Sequence, residues 1–321
     1  MPLTNANQPT KDILAATVAA AAAAWPHVGS GEKLTVDGAA VDAMRASLGS
    51  AQFAGIVVIG EGEKDEAPML FNGEVVGHPD VIALSVDWDI AVDPVDGTRL
   101  AAEGVPGAVA VMAAAERGSM LESSEVYMMK KIVSGPAGRG VLDIDATPAQ
   151  NISALAEALG KPVDEMRVAV INKARNFELI AQVQDAGATW VRFDEGDIAM
   201  AVAAATPGSG VDLLLGLGGS PEGVVAAVAV QILGGFMQTR FAPQDSDQIA
   251  RALTAGYDLE AKFELDDLAS GERFVFVLTG ITDGVLARGV REFDEHLELQ
   301  TFILDSALGE PVLIDHQVAK I

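Results

Sequence analysis

Cysteine is absent from the 321 residues, so neither a disulfide framework nor a thiolate metal site is available, and a cytoplasmic address is the default expectation. Histidine is nearly as scarce: His27, His78, His296 and His316 are scattered, with no His-Glu-x-x-His or other zinc spacing. Positive charge is short as well. Against 46 Asp and Glu stand 21 Lys and Arg, a formal net charge of −25, which argues against the basic face of a general nucleic-acid binder. A small phosphorylated ligand is still compatible with that charge, because divalent cations supply positive charge locally. Long apolar runs are missing too; 15–25 and 224–233 are too short to span a bilayer, so no membrane partner is expected. Residues 1–10 are polar and lack the pattern of a secretory signal, so no leader is expected. There is no Gly-x-Ser-x-Gly elbow and no Walker A loop.

Half of the residues are apolar, and a chain of this length has room for one large domain or two intimate halves. The pattern predicts an Ala-rich helix over 12–25, with Thr10 as N-cap and Pro26 as its stop. A second helix comes next over 36–48, with Asp37 in its first turn. A buried strand at 56–59 runs into the charged loop 60–66. Further strands are expected at 89–92, 107–115 and 126–135. From about Pro148 the text becomes regular β/α alternation: helices at 152–159, 177–186, 197–205 and 222–233, and strands at 166–171, 190–193 and 211–217. The remainder holds a strand at 274–279, a short helix near 283–290, and strands near 299–304 and 312–314, which complete a sheet. The expected organisation is an N-terminal half, 1–147, with acidic motifs, and a C-terminal α/β half, 148–321.

The stretch 90–98, Ile-Ala-Val-Asp-Pro-Val-Asp-Gly-Thr, is the strongest chemical signal. Asp93 closes a strand, Pro94 sets the exit, Asp96 and Gly97 make a turn, and Thr98 opens the next segment of chain. Carboxylates three residues apart across such a turn can face one hard cation such as Mg²⁺ or Mn²⁺. A polar turn with an Asx cap is the competing reading. Glu61, between Gly60 and Gly62 at a strand end, partners Asp93 and Asp96 if the two strands are neighbours; a solvated acidic loop is its alternative. The segment 215–223, Leu-Gly-Leu-Gly-Gly-Ser-Pro-Glu-Gly, joins a strand to a helix whose free N–H groups suit an anion, and Glu222 in the first turn suits a cation beside it. A dinucleotide fingerprint fails here, since Pro221 stands where the third glycine belongs.

Taken in order, Asp37-Gly38-Ala39-Ala40, Gly60-Glu61-Gly62-Glu63 with Glu66-Ala67-Pro68-Met69-Leu70, Asp93-Pro94-Val95-Asp96-Gly97-Thr98 and Gly218-Gly219-Ser220-Pro221-Glu222-Gly223 resemble the class II fructose-1,6-bisphosphatases of the bacterial GlpX type. The wider likeness is to the lithium-sensitive, metal-dependent sugar and inositol phosphatases. The resemblance implies an α/β/α/β/α sandwich with the active site between two halves. It makes Asp37, Glu61, Asp93, Asp96 and Glu222 ligands of two or three Mg²⁺ or Mn²⁺ ions, with Lys33 beside them. It sets the substrate near Asp96, Gly97, Thr98, Tyr127, Lys173, Arg175, Glu195, Gly196, Asp197 and Gly219. The implied reaction releases the 1-phosphate of fructose 1,6-bisphosphate, with Glu61 and Thr98 orienting the attacking water and Asp93 and Lys33 in the catalytic group. A homo-oligomer, dimer or tetramer, is implied as well.

Three departures from the family pattern stand out. Asp96 replaces the usual Glu, Lys173-Ala174-Arg175-Asn176 replaces a segment with Pro and His, and Glu195-Gly196-Asp197 replaces Asp-Gly-Asp. Alternative expectations are a sedoheptulose-1,7-bisphosphatase or dual-specificity enzyme, or an inositol or sugar monophosphatase. From different classes come a catalytically inactive sugar-phosphate sensor and, more distantly, a nicotinamide oxidoreductase.

Overall fold

Small side chains let a helix lie close against a sheet, and the Ala-rich start of the chain does so: Ala16, Ala20, Ala21 and Ala24 are fully buried on α1, Gln8–Ala24. The computed structural model describes residues 6–61, 70–122 and 126–320; the expected motif residues 62–69 lie outside them. Helix α1 starts four residues before the expected 12 because Asn7, not Thr10, caps it. Asn7 Oδ1 accepts from the Thr10 amide at 2.9 Å, while the Thr10 hydroxyl donates to Asp305 at 2.7 Å. Helix α2, Lys33–Leu48, also starts early. Lys33 therefore opens the helix, and Asp37 sits one turn on, sharing a face with it rather than occupying the first turn.

Next come β1, Gly55–Ile59; β2, Val75–Val76; α3, Pro79–Ile82; β3, Trp88–Asp96; α4, Thr98–Glu103; and β4, Val109–Glu116. Strand β3 runs parallel to β1 and antiparallel to β4, and it is apolar and buried along most of its length, as expected of a strand covered on both faces. It extends four residues beyond the expected 92, so Asp93 lies within it. Its register with β4 shifts between Asp93 and Asp96. Pro94, which has no N–H to give to a ladder, stands at that irregularity.

The middle of the chain supplies β5, Met128–Ser134; α5, Pro148–Leu159; β6, Arg167–Ile171; α6, Phe177–Asp185; β7, Thr189–Phe193; α7, Asp197–Ala205; β8, Leu213–Gly219; and α8, Ser220–Ile232. These match the expected alternation within a few residues. Strand β9, Phe236–Phe241, helix α9, Ser246–Thr254, strand β10, Phe263–Glu264, and helix α10, Leu265–Leu268, complete this part; the sequence pattern assigns no element to them. The sheet order is β10-β9-β5-β8-β6-β7, with β6 parallel to both β7 and β8 and the other pairs antiparallel.

The chain then supplies β11, Phe274–Gly280; β12, Arg291–Glu292; β13, His296–Asp305; and β14, Val312–Ala319. They extend the first sheet to the order β12-β13-β11-β4-β3-β1-β2, with β14 also on β13. The short helix expected near 283–290 does not form. Asp283 Oδ1 accepts from the Gly289 amide at 3.0 Å and from Arg291 at 2.7 Å, so side-chain bonds hold this stretch as a loop. Described residues of 1–120 and 270–321 thus form one compact unit, and those of 121–269 another. This grouping does not coincide with a cut at 147: β5 joins the middle unit, and the last four strands return to the first. Each unit has its own core, around Ile13, Met44, Ile90 and Met112 in the first and around Ile132, Ile152, Val170 and Leu213 in the second. The fold class is α/β, as expected, with helices packed on mixed sheets.

Candidate active site

In the first unit, the acidic turn is built by the end of β3. Asp93 Oδ1 accepts from the Val95 amide at 3.1 Å, and the Thr98 hydroxyl donates to the Val95 carbonyl at 3.0 Å. Both side chains brace Val95, so the Asx-type turn and the candidate ligand site coexist. Asp96 is buried, only 6 % exposed. Gly97 takes φ +89° and caps α4, a conformation that glycine adopts without a Cβ clash. Strands β1 and β3 are parallel neighbours with Ile59 opposite Ala91, so Glu61, two residues on, comes off the strand adjacent to Asp93. The Glu61 amide donates to the Leu70 carbonyl at 2.9 Å. Lys33 is exposed and Asp37 half-buried on α2, which packs against β3 and α4. Burial pushes the Asp37 carboxyl above the usual carboxylate range.

In the second unit, the glycine segment closes β8 and opens α8. Pro221 sits in the first turn, where a missing N–H costs nothing, and Glu222 lies there too, as expected. Behind them lies a residue that the motifs do not single out. Lys131, only 3 % exposed, donates to Asp197 Oδ2 at 2.9 Å and to the Gly219 carbonyl at 3.0 Å. A side chain at Gly218 would meet the Asp197 carboxylate and one at Gly219 the Glu222 carboxylate, so either would displace a site carboxylate. Asp197 Oδ1 and Glu222 Oε2 are buried without a hydrogen-bond partner. Burial raises the Glu222 carboxyl; Lys131 pulls it back and Asp197 pushes it further up.

Asn176 is a second residue whose part the motifs do not show. It is fully buried, accepts from the Leu217 amide at 2.9 Å and donates to the Leu217 carbonyl at 3.0 Å. Arg175 Nε donates to that same carbonyl at 2.9 Å. Lys173 pairs with Glu195 at 3.6 Å, and Gly196, at φ +91°, caps α7 ahead of Asp197. Tyr127, 61 % exposed, accepts the Ser220 amide on its carbonyl at 2.7 Å. A signal for Lys131 is present in the sequence: it shares the period-two face of β5 with Met129 and Val133, both fully buried. Asn176 carries no comparable signal, because its partner is 41 residues away.

The structure therefore joins Asp197 and Gly219 through Lys131, with Glu222 in the helix turn that follows, and joins Asp93, Asp96, Gly97 and Thr98 at one turn beside the strand leading to Glu61. Within either unit, no three Asp, Glu or His side chains among the described residues stand close enough together to hold a metal ion. The donor set is nonetheless suited to a hard divalent cation: carboxylates throughout, with Glu222 keeping a buried oxygen that has no hydrogen-bond partner.

Residues 7–317 match the family described as bacterial fructose-1,6-bisphosphatase, glpX-encoded. The chain belongs to that family of metal-dependent phosphoric monoester hydrolases. A protein of Synechococcus sp. (strain JA-2-3B'a(2-13)), named D-fructose 1,6-bisphosphatase class 2/sedoheptulose 1,7-bisphosphatase, is 38% identical over 309 residues, covering 90% of this chain and 88% of its own length. One of the same name from Thermosynechococcus vestitus (strain NIES-2133 / IAM M-273 / BP-1) is 37% identical over 310 residues, with the same coverage of both chains.

Proposed function

We propose that this chain carries out its family's hydrolysis of fructose 1,6-bisphosphate, releasing the 1-phosphate, with Asp37, Glu61, Asp93, Asp96 and Glu222 as ligands of two or three Mg²⁺ or Mn²⁺ ions. Bound divalent ions would polarise the phosphoryl oxygens, lower the pKa of a bound water and stabilise the leaving alkoxide. The protein's own part is positioning. Thr98, its hydroxyl fixed on the Val95 carbonyl, and Glu61 orient the water, with Asp93 and Lys33 completing the catalytic group. The amides of Gly97 and Thr98 receive the reacting phosphate beside Asp96. Lys173 and Arg175 grip the distal phosphate, while Tyr127, Glu195, Gly196, Asp197 and Gly219 line the sugar. The single observation that carries the metal reading is the buried, unpartnered carboxylate oxygen of Glu222.

Cleavage of sedoheptulose 1,7-bisphosphate is a second activity of the same site, favoured by the double name of both relatives. We further propose a cytoplasmic homo-oligomer, dimer or tetramer. Among the described residues, no helix is long and apolar enough to cross a membrane. Phosphate release from both bisphosphates and from inositol phosphate tests the reading, before and after chelation. Turnover should vanish with the metal and return with Mn²⁺ or Mg²⁺, and Asp93→Asn should lower it by roughly 10²- to 10³-fold with circular dichroism unchanged. Metal-independent turnover, or an active Asp93→Asn enzyme, would overturn it.

A further inference from the structure

A lysine with 3 % of its surface exposed needs a reason to be buried, because removing an ammonium from water is costly unless its partners offset the loss. Lys131 has two: Asp197 Oδ2 at 2.9 Å and the Gly219 carbonyl at 3.0 Å. Its other neighbours set the charge balance of the cluster. Asp197 is the ion-pair partner of this buried ammonium, and the charges of Lys131, Asp197 and Arg175 all act on Glu222. Each carboxylate keeps one buried oxygen without a hydrogen-bond partner. The lysine therefore engages one oxygen of Asp197 and leaves the other open, and it leaves Glu222 Oε2 open as well. The glycine backbone allows this closeness: a Cβ at Gly218 would come within 2.8 Å of Lys131 Nζ, and one at Gly223 within 2.5 Å of Met129 Sδ beside it.

We propose that Lys131 is the internal counter-ion that keeps Asp197 out of the metal's coordination, so that Glu222 alone of the two serves the cation and the free oxygen of Asp197 faces the substrate. This rests on the metal reading given above for Glu222. Lys131 acts through Asp197 and Gly219 and is a positioning residue. By pairing with Asp197 Oδ2 it offsets that carboxylate's charge, which leaves Glu222 as the carboxylate that draws the ion. By holding the Gly219 carbonyl it fixes the backbone from which Glu222 projects. A divalent ion at Glu222 should respond to each charge in turn. Removing the ammonium frees Asp197 to join the ion, which binds more tightly. Removing the Asp197 charge leaves Lys131 opposite Glu222 alone, and the ion binds more weakly. Removing both charges restores the starting balance.

The test is calorimetric titration of the metal-stripped full-length protein with Mn²⁺, monitoring the ion whose binding is lost in Glu222→Gln. Lys131→Met should lower its dissociation constant about tenfold, Asp197→Asn should raise it by about as much, and Lys131→Met/Asp197→Asn should return it to within about twofold of the original, the scale expected of one charge at close range. KM for the sugar bisphosphate should rise in Lys131→Met, where Asp197 is no longer aimed, and recover in Lys131→Arg. A buried lysine with a merely structural role would leave Mn²⁺ affinity unchanged or reduced in every variant, and that result overturns the proposal. If Lys131→Met does not fold, the isosteric Asp197→Asn decides: unchanged or tighter Mn²⁺ binding overturns it. Failure of the unaltered protein to bind Mn²⁺ overturns the metal reading and this inference together, whereas binding that is alike in all variants overturns only the role of Lys131.

Discussion

Gly97 and Asn176 show how single residues hold the two halves of the chemistry in shape. At Gly97 the backbone takes φ +89°, and an added Cβ would stand 3.2 Å from Leu100 Cδ1. Gly97→Ala should lower stability by about 1–2 kcal/mol, the cost of left-handed backbone in a residue with a Cβ, read from urea midpoints. Asn176 clasps both polar groups of Leu217 from a fully buried position. Asn176→Ala leaves them without their side-chain partner and should cost about 2–3 kcal/mol by the same measurement. It should also raise KM more than it lowers kcat, since Leu217 precedes the glycines that position Glu222 and also anchors Arg175. Asparagine suits this position: with a donor and an acceptor on one planar amide, it can serve a backbone N–H and C=O at once.

Two elements carry the larger consequences. Strand β3 is central, flanked by β1 and β4, and its acidic end is a continuation of the ladder rather than a turn beyond it. Asp93 and Asp96 thus inherit the rigidity of a buried strand, with the irregularity at Pro94 re-aiming the second carboxylate. Strand β14 lies at the other side of the same sheet, alternating between half-buried and exposed residues. His316 stands opposite Leu299, on the face where Val312, Ile314 and Val318 pack against the core. Burial lowers its pKa below the ordinary 6.5, with Asp315 opposing. A histidine whose folded pKa is depressed takes up protons less readily than in the unfolded chain. Stability is therefore lost as pH falls from 6.5 towards the lower folded value, and the loss is complete below it. His316→Gln should make urea midpoints fall less between about pH 7.5 and 5.5 than those of the unaltered protein. An identical fall would show that His316 has no part in it.

For the whole molecule, a net charge of −25 implies self-repulsion in the folded chain. Raising the ionic strength from about 0.01 to 0.15 M, which shortens the Debye length from roughly 30 to 8 Å, should raise the thermal midpoint. An unchanged or lower midpoint would mean that ion pairs such as Arg45–Glu74 and Arg288–Asp315 outweigh the repulsion. Much of this protein was legible in its residues one by one. Local signals determined the β/α alternation after Pro148, α7 to the residue, the first-turn place of Glu222 in the helix after the glycines and the ordered acidic motifs that identify the family, because periodicity, caps and glycines act over a few positions. Other features depended on side-chain and strand partners that periodicity does not show. The start of α1 depended on Asn7 and Asp305, the length of β3 on its neighbours β1 and β4, and the lack of a helix near 283–290 on Asp283 reaching Gly289 and Arg291. Tertiary structure alone decided that the final strands return to the first sheet, that Asn176 holds Leu217, and that Lys131 meets Asp197 and Gly219. The reason is physical: a buried charge or amide is specified by the partner that offsets its desolvation, and those partners lie 41 to 88 residues away.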